Sequence, residues 1–129
     1  MFVADSSVWI DFFRDVSTRE VELLDGAVRK ERGVLLCGPV MQEVLQGIRN
    51  EREYVDTRLM LSGFRFLHVT RWTFYRAAAV YRGLRKRGIT LGPFDVLIGT
   101  LCLEYGVPLL TCDRKAFEPM ARHARLELA

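Results

Sequence analysis

The chain has 129 residues, enough for one domain, residues 1–129, around a single core. Half of its residues are hydrophobic and 27% are charged, which excludes a disordered chain and fits a globular one. The formal charge is +3, and four cations fall within residues 81–88 while the acids are spread out, a distribution suited to an anionic partner.

FVA (2–4) predicts a short buried strand. Residues 7–14 have helical spacing, with Val8, Trp9, Phe12 and Phe13 on one stripe. Residues 17–31 predict a second helix, capped by Ser17 or Thr18 and stopped by Gly33. VLLC (34–37) reads as a second strand. Pro39 suits the first turn of a helix running to Asn50, and residues 51–62 continue as another. FRFLHV (64–69) gives a third strand, followed by a long amphipathic helix over 71–87. Residues 93–106 form a strongly apolar helix after Gly92, and 107–112 a fourth strand. Residues 114–124 predict a short helix interrupted or ended at Pro119, and 124–129 an added edge strand.

Every apolar stretch is too short to span a bilayer, and the first residues lack the pattern of an export signal, so no membrane contact and a cytoplasmic location are expected. Cys37, Cys102 and Cys112 lack metal-ligand spacing and are odd in number, which argues against a zinc site and a disulfide framework. Each lies in an apolar run and reads as a small core residue.

Strands alternating with helices imply an α/β fold, with a mostly parallel central sheet and helices on both faces. Sites in such folds lie beyond the carboxyl ends of the strands. Asp5 follows the first strand and Asp113 the fourth, while Glu43 and Asp95 lie in the first turns of helices that follow a strand end and a Gly-Pro turn. Each acid has an ordinary reading: Asp5 as a helix cap, Asp95 as a helix N-terminal acid, Glu43 as a surface residue and Asp113 as a turn residue. Their joint placement at one predicted edge is the stronger signal. Converging carboxylates stay ionised only around a cation, and an all-oxygen donor set points to Mg²⁺ or Mn²⁺. Such an ion, beside a basic surface, suits phosphodiester cleavage in a nucleic acid.

Around these residues the chain resembles a PIN domain, most of all the VapC toxins of bacterial and archaeal toxin–antitoxin pairs. The resemblance rests on ADSSVWIDFF, PVMQEVLQG and GPFDVLIGTLCLEYGVPLLTCDRKAF, and it covers nearly the whole chain. It implies a three-layer fold with strand order 3-2-1-4-5. It also implies a metal-dependent endoribonuclease acting on structured RNA, often tRNA or ribosomal RNA, with Mg²⁺ or Mn²⁺ as cofactor. The family's four acids fall on Asp5, Glu43, Asp95 and Asp113, with Asp5, Asp95 and Asp113 expected as metal ligands. Its small polar residues correspond to Ser6 and Thr111. A homodimer is implied, as is a cognate antitoxin whose tail lies along the N-terminal helices. Two features depart from the family pattern. Gly99 and Thr100 stand where relatives often have alanines, and Arg114 and Lys115 stand where some carry a further acid.

Arg82, Arg85, Arg114 and Lys115 are candidates for gripping RNA phosphates, against the alternative of solvated helix ends. Trp9, Phe12 and Phe13 are either core or the antitoxin groove. Tyr75 and Tyr81 are either core or a dimer face, and His68 and His123 read as structural. A phospho-accepting signalling domain does not fit, because VLLCG (34–38) has no acid to phosphorylate. A nucleotide-binding glycine loop is also absent. A PIN fold without activity, serving as an RNA-binding or scaffold subunit, is the competing expectation.

Overall fold

The computed structural model describes all residues, 1–129. Its strands are β1 (Phe2–Ala4), β2 (Val34–Cys37), β3 (Arg65–Leu67) and β4 (Leu109–Leu110). Its helices are α1 (Ser6–Phe13), α2 (Arg19–Arg29), α3 (Gly38–Gln46), α4 (Glu51–Leu61), α5 (Arg71–Lys86), α6 (Pro93–Tyr105) and α7 (Arg114–Ala124). The strands form one parallel sheet in the order β3-β2-β1-β4. The chain moves outward from β1 through β2 to β3 and then returns to pair β4 with the other side of β1. Right-handed crossovers therefore place α1–α4 on one face and α5–α6 on the other. β1 is the switch point, and its carboxyl end is where a site is expected.

The fifth place in the expected order holds one parallel bridge, Leu109 to Leu128, rather than a strand. The tail is nevertheless fastened there, because the Leu109 amide donates to the Glu127 carbonyl and the Ala129 amide to the Leu109 carbonyl, at 2.9 and 2.8 Å.

Local chemistry sets the helix ends. Thr18 caps α2 and Asn50 caps α4 by accepting from the amides of Val21 and Glu53. Thr70 and Thr73 cap α5 reciprocally. Asn50, expected inside the third helix, thus begins the next one, and α3 stops at Gln46. Gly106, with φ of +63°, ends α6 in the left-handed conformation that glycine adopts without strain. The fourth strand is only two residues long, since Pro108 has no amide to donate and Thr111 already turns toward α7. Pro119 does not interrupt α7: Phe117 and Met120, fully buried, hold the helix through the lost hydrogen bond.

Buried residues of all four strands pack with Trp9, Leu24, Leu101 and Phe117 in one core. Trp9 has no exposed surface and packs against Phe12, Phe13 and Phe64, with ring centroids 5.8, 6.0 and 5.3 Å away. Cys37 and Cys102 are core residues as expected, and burial pushes the Cys37 thiol up to about 11. Cys112 is exposed instead, because β4 ends two residues before it.

Gly99 is the point where α6 and α7 touch. A Cβ there would lie 2.5 Å from Met120 Cε and 2.6 Å from its Sδ. Met120 is fully buried, so its terminal Sδ and Cε would have to shift within the core. Gly99→Ala is expected to destabilise the protein by about 1–3 kcal/mol through overpacking. Urea unfolding of G99A beside G99A/M120V checks this; the shorter valine should recover part of the loss. The neighbouring departure, Thr100, is accommodated by donating its hydroxyl to the Val96 carbonyl at 2.7 Å.

Candidate active site

Asp5 leaves the end of β1 and caps α1, accepting from the Val8 amide at 3.3 Å. The helix-cap reading is therefore correct, yet it accounts for only one contact. The Ser7 hydroxyl donates to Asp5 Oδ1 and the Thr111 hydroxyl to Asp5 Oδ2, each at 2.5 Å. Asp5 is only 5% exposed, and no Lys, Arg or His pairs with it. Burial raises its proton affinity, partly offset by the Ser7 and Thr111 hydroxyls and the Val8 amide.

The other three acids gather around it. Glu43, half-buried on α3, accepts from the Ser6 hydroxyl at 3.3 Å. Its carboxyl is raised first by burial and then by the charges of Asp95 and Asp5, with the Ser6 bond opposing. Asp95, half-buried in the first turn of α6, is raised by burial and then by Asp5 and Asp113. Asp113, exposed, caps α7 by accepting from the Ala116 amide at 3.3 Å, and its own amide donates to Thr111 Oγ1 at 2.9 Å. All four predicted acids thus belong to one electrostatic cluster at the carboxyl edge of β1 and β4. None of the protein's four ion pairs involves any of them.

The donor set fits a hard divalent cation: carboxylates only, an uncompensated local negative charge, and hydroxyls holding the most buried ligand. No three of the acids stand close enough to enclose an ion.

The raised carboxyls carry a pH consequence. The folded protein holds protons on Asp5, Glu43 and Asp95 at pH values where the unfolded chain has released them. The contribution of these three groups to stability is therefore most favourable below the ordinary carboxylate range and is lost as pH rises through their raised values. Melting temperatures in EDTA, measured for wild type and for Asp5→Asn/Glu43→Gln/Asp95→Asn, should show the wild type losing ground to the variant as pH increases.

The Ser6 hydroxyl contacts Glu43 and the Thr111 hydroxyl Asp5, while Ser7, which no sequence motif marks, makes more contacts than Ser6. Arg82, Arg85, Arg114 and Lys115 are all exposed. Arg114 is already engaged, donating to the Ala129 carbonyl at 2.7 Å. Thr73 and Arg76 near the start of α5 bind Glu104 near the end of α6, at 3.0 and 2.9 Å. The two helices are thus antiparallel, and the half of α5 bearing Arg82 and Arg85 runs back toward the α6 end that carries Asp95. Trp9 is core and cannot line a groove; Phe12 and Phe13 are half-buried. A cleft of about 390 Å³ lies between α1, α3 and α4, lined by Ile10, Phe13, Arg14, Val44, Ile48 and Arg49 among others. Its lining starts one helical turn beyond Ser6, at Ile10, and immediately after Glu43, at Val44.

Fold and site together define a parallel α/β domain with an acidic centre at its switch point. Residues 2–123 match the family model of the PIN domain, and the chain belongs to that family. It is 28% identical to ribonuclease VapC11 of Mycobacterium tuberculosis, covering 100% of this chain and 98% of that protein. Among solved structures, VapBC2 of Rickettsia felis, bound to a promoter DNA fragment, is similar with a TM-score of 0.78 and 14% identity over 99% of this chain and 96% of that one. VapBC-1 of nontypeable Haemophilus influenzae is similar with a TM-score of 0.77 and 16% identity, again over 99% and 96%. No helix of the chain is long and apolar enough to cross a membrane.

Proposed function

We propose that the protein is a metal-dependent endoribonuclease of the VapC type, which cleaves structured RNA and is neutralised by a cognate antitoxin. The observation that carries this reading is the cluster of Asp5, Glu43, Asp95 and Asp113, buried at one end and unpaired with any cation of the chain. The full-length likeness to a ribonuclease supports the substrate class.

Asp5, Asp95 and Asp113 would hold Mg²⁺ or Mn²⁺. The ion, when bound, lowers the pKa of a water and neutralises charge developing on the phosphate. Ser7 and Thr111 fix the Asp5 carboxylate. Glu43, steered by the Ser6 hydroxyl, faces the same space and orients the attacking water or receives its proton. No His is required, and His68 and His123 are both exposed and outside the cluster. Arg82, Arg85 and Lys115 would contact the RNA backbone.

The cleft lined by Ile10, Phe13 and Val44 is the proposed seat of the antitoxin tail, with Arg14 and Arg49 in its lining for an acidic group. A homodimer is proposed through the exposed end of α5, where Trp72 and Tyr75 are 64% and 58% exposed. Light scattering reads the dimer. An inactive RNA-binding or scaffold subunit is the second reading, favoured by the acids not yet enclosing an ion.

The test is incubation of the purified, antitoxin-free protein with a total-RNA pool in Mg²⁺, Mn²⁺ or EDTA. Discrete fragments that depend on the metal are expected. Folded protein that binds the pool without cutting it would support the scaffold reading.

A further inference from the structure

The Ser7 hydroxyl makes two contacts that no ordinary helix residue needs. It donates to Asp5 Oδ1 at 2.5 Å and accepts from the Cys112 backbone amide at 3.1 Å. Thr111 repeats the arrangement on the other oxygen, donating to Asp5 Oδ2 and accepting from the Asp113 amide. Two hydroxyls therefore link the carboxylate after β1 to the backbone of the segment that carries Asp113. The lone pairs of Asp5 are also divided unequally. Oδ1 receives both the Ser7 hydroxyl and the Val8 amide, whereas Oδ2 receives only Thr111. A carboxylate oxygen has two lone-pair positions, so Oδ1 is occupied and Oδ2 keeps one open.

We propose that Ser7 is a positioning residue: by occupying Asp5 Oδ1 and holding the Cys112 amide, it presents Oδ2 alone to a divalent cation and keeps Asp113 in register with it. This rests on the metal-dependent nuclease reading above. The structural part of the inference does not require the metal, and the experiment separates the two.

Wild type, Ser7→Ala and Ser7→Thr are compared in two measurements. The first is amide hydrogen exchange without metal. Loss of the hydroxyl should speed exchange at Cys112 and Asp113 by about tenfold relative to the rest of the sheet, for a weakly net-favourable bond, and Thr should restore protection. The second is Mn²⁺ binding followed by electron paramagnetic resonance. Ser7→Ala should bind about 10–100-fold more weakly, the usual effect of losing a partner of a metal ligand, with Thr again restoring it. Ser6→Ala, which spares Asp5 and the Cys112 amide, should leave exchange at both positions unchanged.

Unchanged exchange at Cys112 and Asp113 in Ser7→Ala would overturn the inference whatever the metal does. Faster exchange with wild-type Mn²⁺ affinity would overturn the role toward the cation while leaving the nuclease reading intact. Faster exchange in the variant together with no Mn²⁺ binding by wild type would overturn the nuclease reading and the cation part, leaving only the link between Asp5 and the Asp113 loop.

Discussion

Asp95→Asn is expected to reduce RNA cleavage by about 10³-fold and to leave the metal-free protein no less stable. The loss would follow from removing one of the proposed ligands of an ion that, under this reading, supplies several kcal/mol of transition-state charge stabilisation, at 1.36 kcal/mol per factor of ten. The stability follows from the surroundings of Asp95. Its side chain makes no hydrogen bond or ion pair in the protein, and its charge raises the proton affinity of Glu43. Deleting that charge relieves repulsion in the apo state, so melting in EDTA should be unchanged or higher than in wild type. The two proteins should then diverge on adding Mg²⁺, which stabilises only a protein that binds it. Asp5→Asn is a less clean probe, because an amide in place of the carboxylate would set a donor against the hydroxyl of Ser7 or Thr111.

Trp9→Ala is expected to cost about 3–5 kcal/mol of stability, as for other fully buried large aromatics. Phe13→Ala should cost less, since Phe13 is half-buried, but it removes a wall of the cleft between α1, α3 and α4. Chemical denaturation ranks the two variants for stability, and calorimetry with an antitoxin tail peptide ranks Phe13→Ala against wild type for binding. The expected pattern is a large stability loss at Trp9 and a selective binding loss at Phe13. Comparable stability losses at both positions would mean that Phe13 belongs to the core and that the cleft is not a separate feature.

The division between Trp9 and Phe13 illustrates what the sequence conveys. Helical spacing puts Val8, Trp9, Phe12 and Phe13 on one stripe, but a stripe does not say how deep each residue lies. Depth depends on Phe64, which enters from the start of β3, 5.3 Å from the Trp9 ring. The strands were legible because they are short, apolar and bounded by glycine, proline or acid. Their ends were less so: residues 107–112 are mostly apolar, yet pairing with the three-residue β1 covers only Leu109 and Leu110. Cys112 consequently lies outside the sheet and outside the core.

Asp5 and Asp113 could be located because their position follows from topology alone, and Glu43 and Asp95 because they lie in the first turns of their helices. A carboxylate just past a parallel strand must lie at the sheet's carboxyl edge, whatever the details of packing. Ser7 could not be located in this way. Its role depends on a contact with Cys112, 105 residues away, and on a hydroxyl rotamer that no sequence pattern specifies. Ser6 and Ser7 are equivalent by composition, and only the fold shows that one turns to Glu43 and the other to Asp5.

The most direct measurement is a crystal of the protein soaked in Mn²⁺, with the ion located by its anomalous scattering. A peak among Asp5, Asp95 and Asp113, with a carboxylate oxygen of each within about 2.0–2.6 Å as for oxygen-bound divalent ions, is the predicted result. Mn²⁺ bound elsewhere, or no peak while the four acids remain apart, would contradict a metal centre at the switch point and with it the catalytic role of the cluster.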